Sequence, residues 1–396
     1  MTATKKPQLL PLTGIRFFLA LWVVIFHQHF FWLSQFPNPF PVIIRTGFLA
    51  VGVFFVLSGF VLSYNYSLGE NWSWKNVAKF GIARFARIYP AYCVGLLLIA
   101  PAVLYPLLRQ FSLAKFGKAL IVAALNLTLM QAWVPGTALS WNGPGWSLSA
   151  EAFFYCCFPF LGVTLWKLSR PSSIVIAGLL VWVGSVIFPF LVPLMSPLSF
   201  TLSTADRFWF NLIAYNPLLH LPQFCMGIIV GRTYHLLRSK NSILLGRGYC
   251  LYVPAILLEG MAISLYSSLG RSFFVLQNGL LLPLHSLIIL GFAAGGGTLA
   301  RLLSVRPLVF LGNASYALYI LHVPVSVWMG YIGKRLFSTT LEESGGATAL
   351  YIVVVVCLSS IVFKLIEEPA NHFLKKLLFS RLDSFDQRSL ATVLQV

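Results

Sequence analysis

The sequence predicts an all-α protein, a polytopic bundle of about ten transmembrane helices with both termini cytoplasmic. Three observations carry that expectation. Of 396 residues, 58% are hydrophobic and only 10% are charged, with a mean hydropathy of +0.83. A soluble domain carries about 25% charged residues. Apolar stretches of about 20 residues, the length that crosses a bilayer, recur along the whole chain. The basic residues gather in every second connection between them, as the positive-inside bias requires.

Ten stretches read as spanning helices: 15–33, 42–64, 88–108, 148–166, 173–195, 207–231, 250–269, 273–293, 308–331 and 347–366. Lys5 and Lys6 place the start in the cytoplasm. The run that follows is about full length and lacks a small-residue cleavage site, so it reads as a retained first helix and not a signal peptide. Helices one and two return the chain to Lys75, Lys79, Arg84 and Arg87. Later basic connections carry Lys167 and Arg170, then Arg232, Arg238, Lys240 and Arg247, then Arg301 and Arg306, and the tail adds Lys375, Lys376 and Arg381. All fall on one side provided that 119–133, shorter and polar towards its end, does not fully cross. That stretch therefore reads as re-entrant or interfacial. The Trp-, Gly- and Pro-rich segment 131–146 reads as a loop at the outer face. Lys364, Glu367, Glu368 and Pro369 read as the end of the last helix. The chain thus divides into a transmembrane domain, 1–372, and a cytoplasmic tail, 373–396.

Lys and Arg number 28 against 10 Asp and Glu, a formal charge of +18. In a soluble chain that surplus would suggest nucleic acid. Interleaved with apolar spans it instead fits anionic lipid headgroups and an anionic cytosolic cosubstrate, with no nucleic-acid partner. The six cysteines (Cys93, Cys156, Cys157, Cys225, Cys250 and Cys357) show no CxxC or metal spacing and read as small core residues. No P-loop, GxGxxG, HExxH or GxSxG occurs, so nucleotide hydrolysis, zinc proteolysis and a hydrolase elbow have no support and no metal is expected.

Polar residues inside such spans are functional candidates by default. Arg16 and His27 lie about 16 Å apart along one helix at 1.5 Å per residue. That places Arg16 at the cytoplasmic edge and His27 near the membrane midplane. The spacing is equally compatible with a snorkelling anchor plus a packed histidine. His29, on another face, reads as structural. In "GPGWSLSAEAFFY" (143–155), Ser147 and Glu151 share a helical face, where the carboxylate could orient a histidine. A helix-capping role fits as well. Arg84 and Arg87, three apart, suit phosphates through forked hydrogen bonding but also suit an ordinary cytoplasmic anchor. In "LGNASYALYILHVPV" (311–325), Ser315, Tyr319 and His322 make a polar stripe beside Tyr316, and such stripes are commonly helix–helix contacts. His220, His285 and Glu259 are further intramembrane polar positions.

Laid out in order, these segments resemble the acyltransferase 3 family of bacterial integral-membrane acyltransferases. "LTGIRFFLALWVVIFH" is similar to the family's first helix and "VGVFFVLSGFVLSY" to its second. "RFARIYPAY" is similar to its cytoplasmic RxxRxxP segment, "WSLSAEAFFY" to its W-S-L-S-x-E stretch, and "SYALYILHVP" and "EEP" to its late helices. The resemblance runs from about residue 10 to 372. It implies transfer of an acyl group, often acetyl, from cytoplasmic acyl-CoA to a hydroxyl of a carbohydrate or glycolipid, at the bacterial inner membrane and with no permanently bound cofactor. It implies His27 as the catalytic histidine with Arg16 its companion, and Arg84 and Arg87 for the CoA phosphates. Ser147, Ser149 and Glu151 would line the site, with Trp146, Tyr316, Tyr319 and His322 at the substrate. Many relatives carry an acid in "LPEF", where this chain has Gln223, so no charged role carries over to that position. No SGNH-type periplasmic domain is expected, which leaves acceptor recognition to membrane loops or a partner. Residue by residue, a secondary transporter with an intramembrane His/Glu/Arg path fits almost as well. A non-enzymatic scaffold is a third reading.

Overall fold

The computed structural model describes residues 6–28, 36–66, 72–109, 112–195, 204–266, 273–337 and 345–393, so His29 lies outside the described residues. Among the described residues, the predicted apolar stretches are helical over most of their length, and no strand forms. The elements are α1 (Leu10–Phe26), α2 (Phe40–Arg45), α3 (Leu49–Asn65), α4 (Trp74–Arg109), α5 (Leu113–Leu127), α6 (Gly145–Trp166), α7 (Pro171–Met195) and α8 (Thr204–Tyr215). There follow α9 (Pro217–Ser239), α10 (Tyr249–Tyr266), α11 (Phe273–Val275), α12 (Leu282–Ala294), α13 (Thr298–Leu303), α14 (Arg306–Phe337), α15 (Gly345–Val362) and α16 (Glu368–Val393). Two π-helical turns, Leu276–Leu280 and Phe363–Glu367, join α11 to α12 and α15 to α16.

Among the described residues, six helical stretches have the length and hydropathy to cross a bilayer, and the four shorter apolar helices α1, α3, α10 and α12 bring the set to ten. Their outward faces carry Leu180, Leu257, Met261, Leu350 and Val353. Lipid tails are as apolar as leucine, so these side chains need no protein cover. The protein is a multi-pass, all-α membrane protein.

Contact between helices rests on small residues, because the hydrophobic effect gives no drive for helices to associate in lipid. α3 crosses α9 so closely that a Cβ on Gly59 would collide with Phe224 O, and one on Gly227 with Val56 O. α14 meets α1 in the same way, with Gly312 lying on Thr13 O.

The basic connections collect at one end of this bundle. Lys6 donates to Tyr64 O at 2.5 Å, Arg232 donates to Leu168 O at 2.7 Å, and Asp383 on α16 binds Lys75 at 3.0 Å and Lys79 at 3.1 Å on α4. Lys6 and Asp383 therefore both lie at the basic end.

Several expectations change. The predicted helix 207–231 breaks at Asn216, whose side chain accepts a hydrogen bond from Leu218 N at 3.0 Å and caps α9, with Pro217 at its first position. The last helix does not end at Glu367 and Pro369 but continues into α16. The π turn just before α16 loosens the backbone where Pro369 would otherwise clash with the preceding turn. Segment 131–146 is non-helical through 144, as expected of a loop, but it packs inward among the helices. Gln131 and Asn142 are fully buried. Asn142 Nδ2 donates to Ile320 O at 3.0 Å and Trp141 Nε1 to Leu96 O at 3.1 Å, which seats the segment between α4 and α14. The cysteines are not core residues either. Cys156, Cys250 and Cys357 are exposed and the other three half-buried, as suits a small apolar thiol facing lipid.

Candidate active site

A cavity of about 190 Å³ lies between α1, α3, α4, α6 and α14. Its walls run from Val61, Leu62, Arg84 and Arg87 at the basic end to Val51, Phe54, Ser147 and Tyr319 further in. Arg16, Glu151, Ser315 and Tyr316 also face it. Helical spacing explains the convergence, since Ser147 and Glu151 are one turn apart on α6, as are Ser315 and Tyr319 on α14.

Glu151 Oε1 accepts a hydrogen bond from Ser58 Oγ at 3.0 Å. Its partner is therefore α3 and not a histidine. Ser147 Oγ and Tyr319 OH share a hydrogen bond of 2.8 Å at the inner end. Arg87 is ion-paired to Glu367, which is fully buried in the second π turn. Arg84 has no carboxylate partner among the described residues. Its Nη2 donates to Tyr66 OH at 3.3 Å, and its guanidinium lies 5.7 to 6.0 Å from the rings of Tyr66, Phe80 and Tyr155. Arg16 makes no hydrogen bond among the described residues, and Glu151 is the carboxylate whose field reaches it. Three guanidinium groups thus face two carboxylates, one of them committed to Arg87. Such a surplus in a largely apolar enclosure favours an anionic guest.

His27 is placed differently from the expectation. α1 ends at Phe26, so His27 caps the helix, exposed, and does not line the cavity. Its ring centroid is 4.9 Å from that of His322, and His322 in turn is 6.0 Å from Tyr319. His322 Nδ1 sits 2.7 Å from Tyr319 O, and His27 Nδ1 sits 2.9 Å from Val23 O. A carbonyl oxygen can only accept, so both Nδ1 atoms carry a proton, and in the neutral rings both Nε2 atoms carry the lone pair. His322 Nε2 is buried and has no partner among the described residues. Tyr319 thus adjoins the cavity on one side and the histidine pair on the other.

Two further expected positions lie off the cavity. Ser149 is about 200° around α6 from Ser147 and faces away, buried. Trp146 packs behind Phe55 against Tyr215 and His220, with ring centroids 5.2 and 5.0 Å away. Gln223 donates to Gln277 O at 2.9 Å, a bond that an ionised acid could not make. Sequence reasoning missed Ser58, Tyr155 and the pairing role of Glu367. An acid next to an apolar run was the one available signal, and it read as a boundary. Glu259 and His285 pair with each other at 3.1 Å between α10 and α12, away from this cavity.

The family profile for the acyltransferase 3 domain, described as "Acyltransferase domain", matches residues 11–364. The chain is 29% identical to "Acyltransferase MdmB" of Streptomyces mycarofaciens over 92% of each chain. It is 25% identical to "O-acetyltransferase OatA" of Staphylococcus aureus over 82% of this chain and 52% of that one. It is 26% identical to "Putative peptidoglycan O-acetyltransferase YrhL" of Bacillus subtilis over 92% and 54%. The chain spans about half the length of the latter two. No solved structure matches. The match to acyl-transfer proteins sets aside the transporter and scaffold readings: the chain belongs to the acyltransferase 3 family and is a membrane O-acyltransferase.

Proposed function

We propose that the chain moves an acyl group, acetyl by the names of its relatives, from cytoplasmic acyl-CoA to a hydroxyl of a cell-envelope or exported carbohydrate. One observation carries the reading. A cavity with surplus guanidinium charge begins at the basic end of the bundle and leads inward to Ser147 and Tyr319, and behind the Tyr319 ring lies His322, which meets His27. In this reading the basic end is cytoplasmic. Arg84 and Arg87 take the phosphates, and Arg16, Glu151 and Ser147 line the path of the pantetheine arm. Arg16 and His27 are about 16 Å apart along α1, a distance that an extended pantetheine arm can bridge.

The chemistry needs a base for the acceptor hydroxyl. His27 Nε2 takes that proton, the alkoxide oxygen attacks the thioester carbonyl carbon, the C–S bond breaks, and the departing thiolate receives the proton. The hydrogen bond from Nδ1 to Val23 O fixes the tautomer that makes Nε2 the base. The products are an ester and free CoA. The peptidoglycan named for the Bacillus subtilis relative makes an envelope glycan the first acceptor to examine. Mass spectrometry of surface glycans and glycolipids from wild-type, deletion and His27→Ala strains tests the reading. The acyl ester is expected in the first strain alone. Wild-type ester levels in the His27→Ala strain overturn it.

A further inference from the structure

From the π turn ahead of α16 into that helix, Glu367, Asn371, Lys375, Phe379 and Asp383 follow at intervals of four residues, a row that drifts about 40° per step with Lys375 at its centre. Contacts at both ends of this row show what it faces. Glu367 pairs with Arg87, Lys79 lies 5.8 Å above the Phe379 ring, and Asp383 binds Lys79 and Lys75. Numbers rise along α16 as they fall along α4, so the two helices are antiparallel. Lys375, midway along the row, falls opposite Arg84.

A helix docked on the basic start of α4 should present acids, as Glu367 and Asp383 do. Lys375 breaks that pattern. It is half-buried, makes no ion pair among the described residues, and its charge opposes those of both Arg84 and Arg87. Buried polar atoms beside it also lack partners among the described residues, namely Arg84 Nε and, one turn earlier on α16, Asn371 Oδ1. Three cations around one committed carboxylate repel one another, and a bound polyanion reverses the sign of that energy. The seam adjoins the cavity through Arg84 and Arg87, which line its mouth.

We propose that Lys375 is a third cationic ligand for the acyl donor's phosphate groups, so that α4 and α16 together form the phosphate seat. The inference rests on the acyl-CoA reading above. α16 thereby belongs to donor recognition, and its three cations match the several phosphates of a coenzyme A thioester.

The test uses the purified full-length protein in vesicles, with acetyl-CoA and phosphate-free acetyl-pantetheine as alternative donors. Lys375→Gln is expected to raise the KM for acetyl-CoA roughly tenfold, the size of one charge-assisted contact, with kcat unchanged. Lys375→Glu should raise it further, and Lys375→Arg should restore it. The KM for acetyl-pantetheine should not move. Lys376, exposed and about 100° around the helix, is the control, and Lys376→Gln should behave as wild type. An unchanged KM for acetyl-CoA in both Lys375→Gln and Lys375→Glu overturns the proposal. So does an effect that disappears in vesicles without anionic lipid, which would assign Lys375 to lipid headgroups. If the wild-type protein consumes neither thioester, the donor reading itself fails and the inference with it.

Discussion

Arg87 and Glu367 show how a single residue can serve stability and chemistry together. A buried pair gives little net stabilisation, yet removing one partner strands the other charge and costs about 3–5 kcal/mol. Glu367→Ala is therefore expected to lower the melting temperature of the detergent-purified protein far more than Lys364→Ala, whose exposed pairing with Glu368 at 2.7 Å contributes little. His322 is the complementary case, a fully buried imidazole whose Nε2 has no partner among the described residues. Its value lies beside His27. His322→Gln should lower kcat about 100-fold, the scale of a lost proton-transfer partner, and leave the KM for the acyl donor unchanged. Steady-state kinetics on the purified protein checks both numbers.

At the scale of elements, the cavity exists because α3 and α9 approach to backbone contact and hold α6 against them. Gly59 and Gly227 sit where any Cβ meets a carbonyl oxygen of the opposing helix. Gly227→Val should abolish recovery of monodisperse protein. Gly260→Ala on α10, where nothing lies within 4 Å of the added methyl, should be neutral or stabilise by about 0.5–1 kcal/mol. Chromatographic profile and melting temperature distinguish these outcomes. The π turn ahead of α16 is a second decisive element, because it buries Glu367 against Arg87 and lets a helix continue through Pro369.

For the whole molecule, polarity is the main property. The basic connections gather at one end, and the histidine pair lies a helix length from the start of α1. A single cysteine placed at Lys240 in a cysteine-free background should resist a membrane-impermeant maleimide added to intact cells. One placed at Phe36 should react. The reverse labelling would invert the orientation from which the donor enters.

The sequence by itself determined the fold class, because apolar runs of about 20 residues satisfy their backbone in a bilayer only as helices with their charges outside it. α6, α14 and α15 lie close to where hydropathy put them, whereas α1 runs over 10–26 instead of 15–33, the stretch 42–64 divides into α2 and α3, and α4 begins at Trp74 and not at 88; helical spacing alone joined Ser147 to Glu151 and Ser315 to Tyr319. The break at Asn216 was written locally as Asn-Pro but masked by continuous hydropathy. Only the tertiary structure decided that Arg16, Arg84 and Glu151 meet around one cavity, that Glu367 belongs to Arg87, that Ser58 holds Glu151, and that His27 meets His322 outside the cavity wall. These contacts join residues tens to hundreds of positions apart. Their formation depends on where glycines let helices touch and where a π turn rotates a face, and neither of these is visible in hydropathy or local spacing.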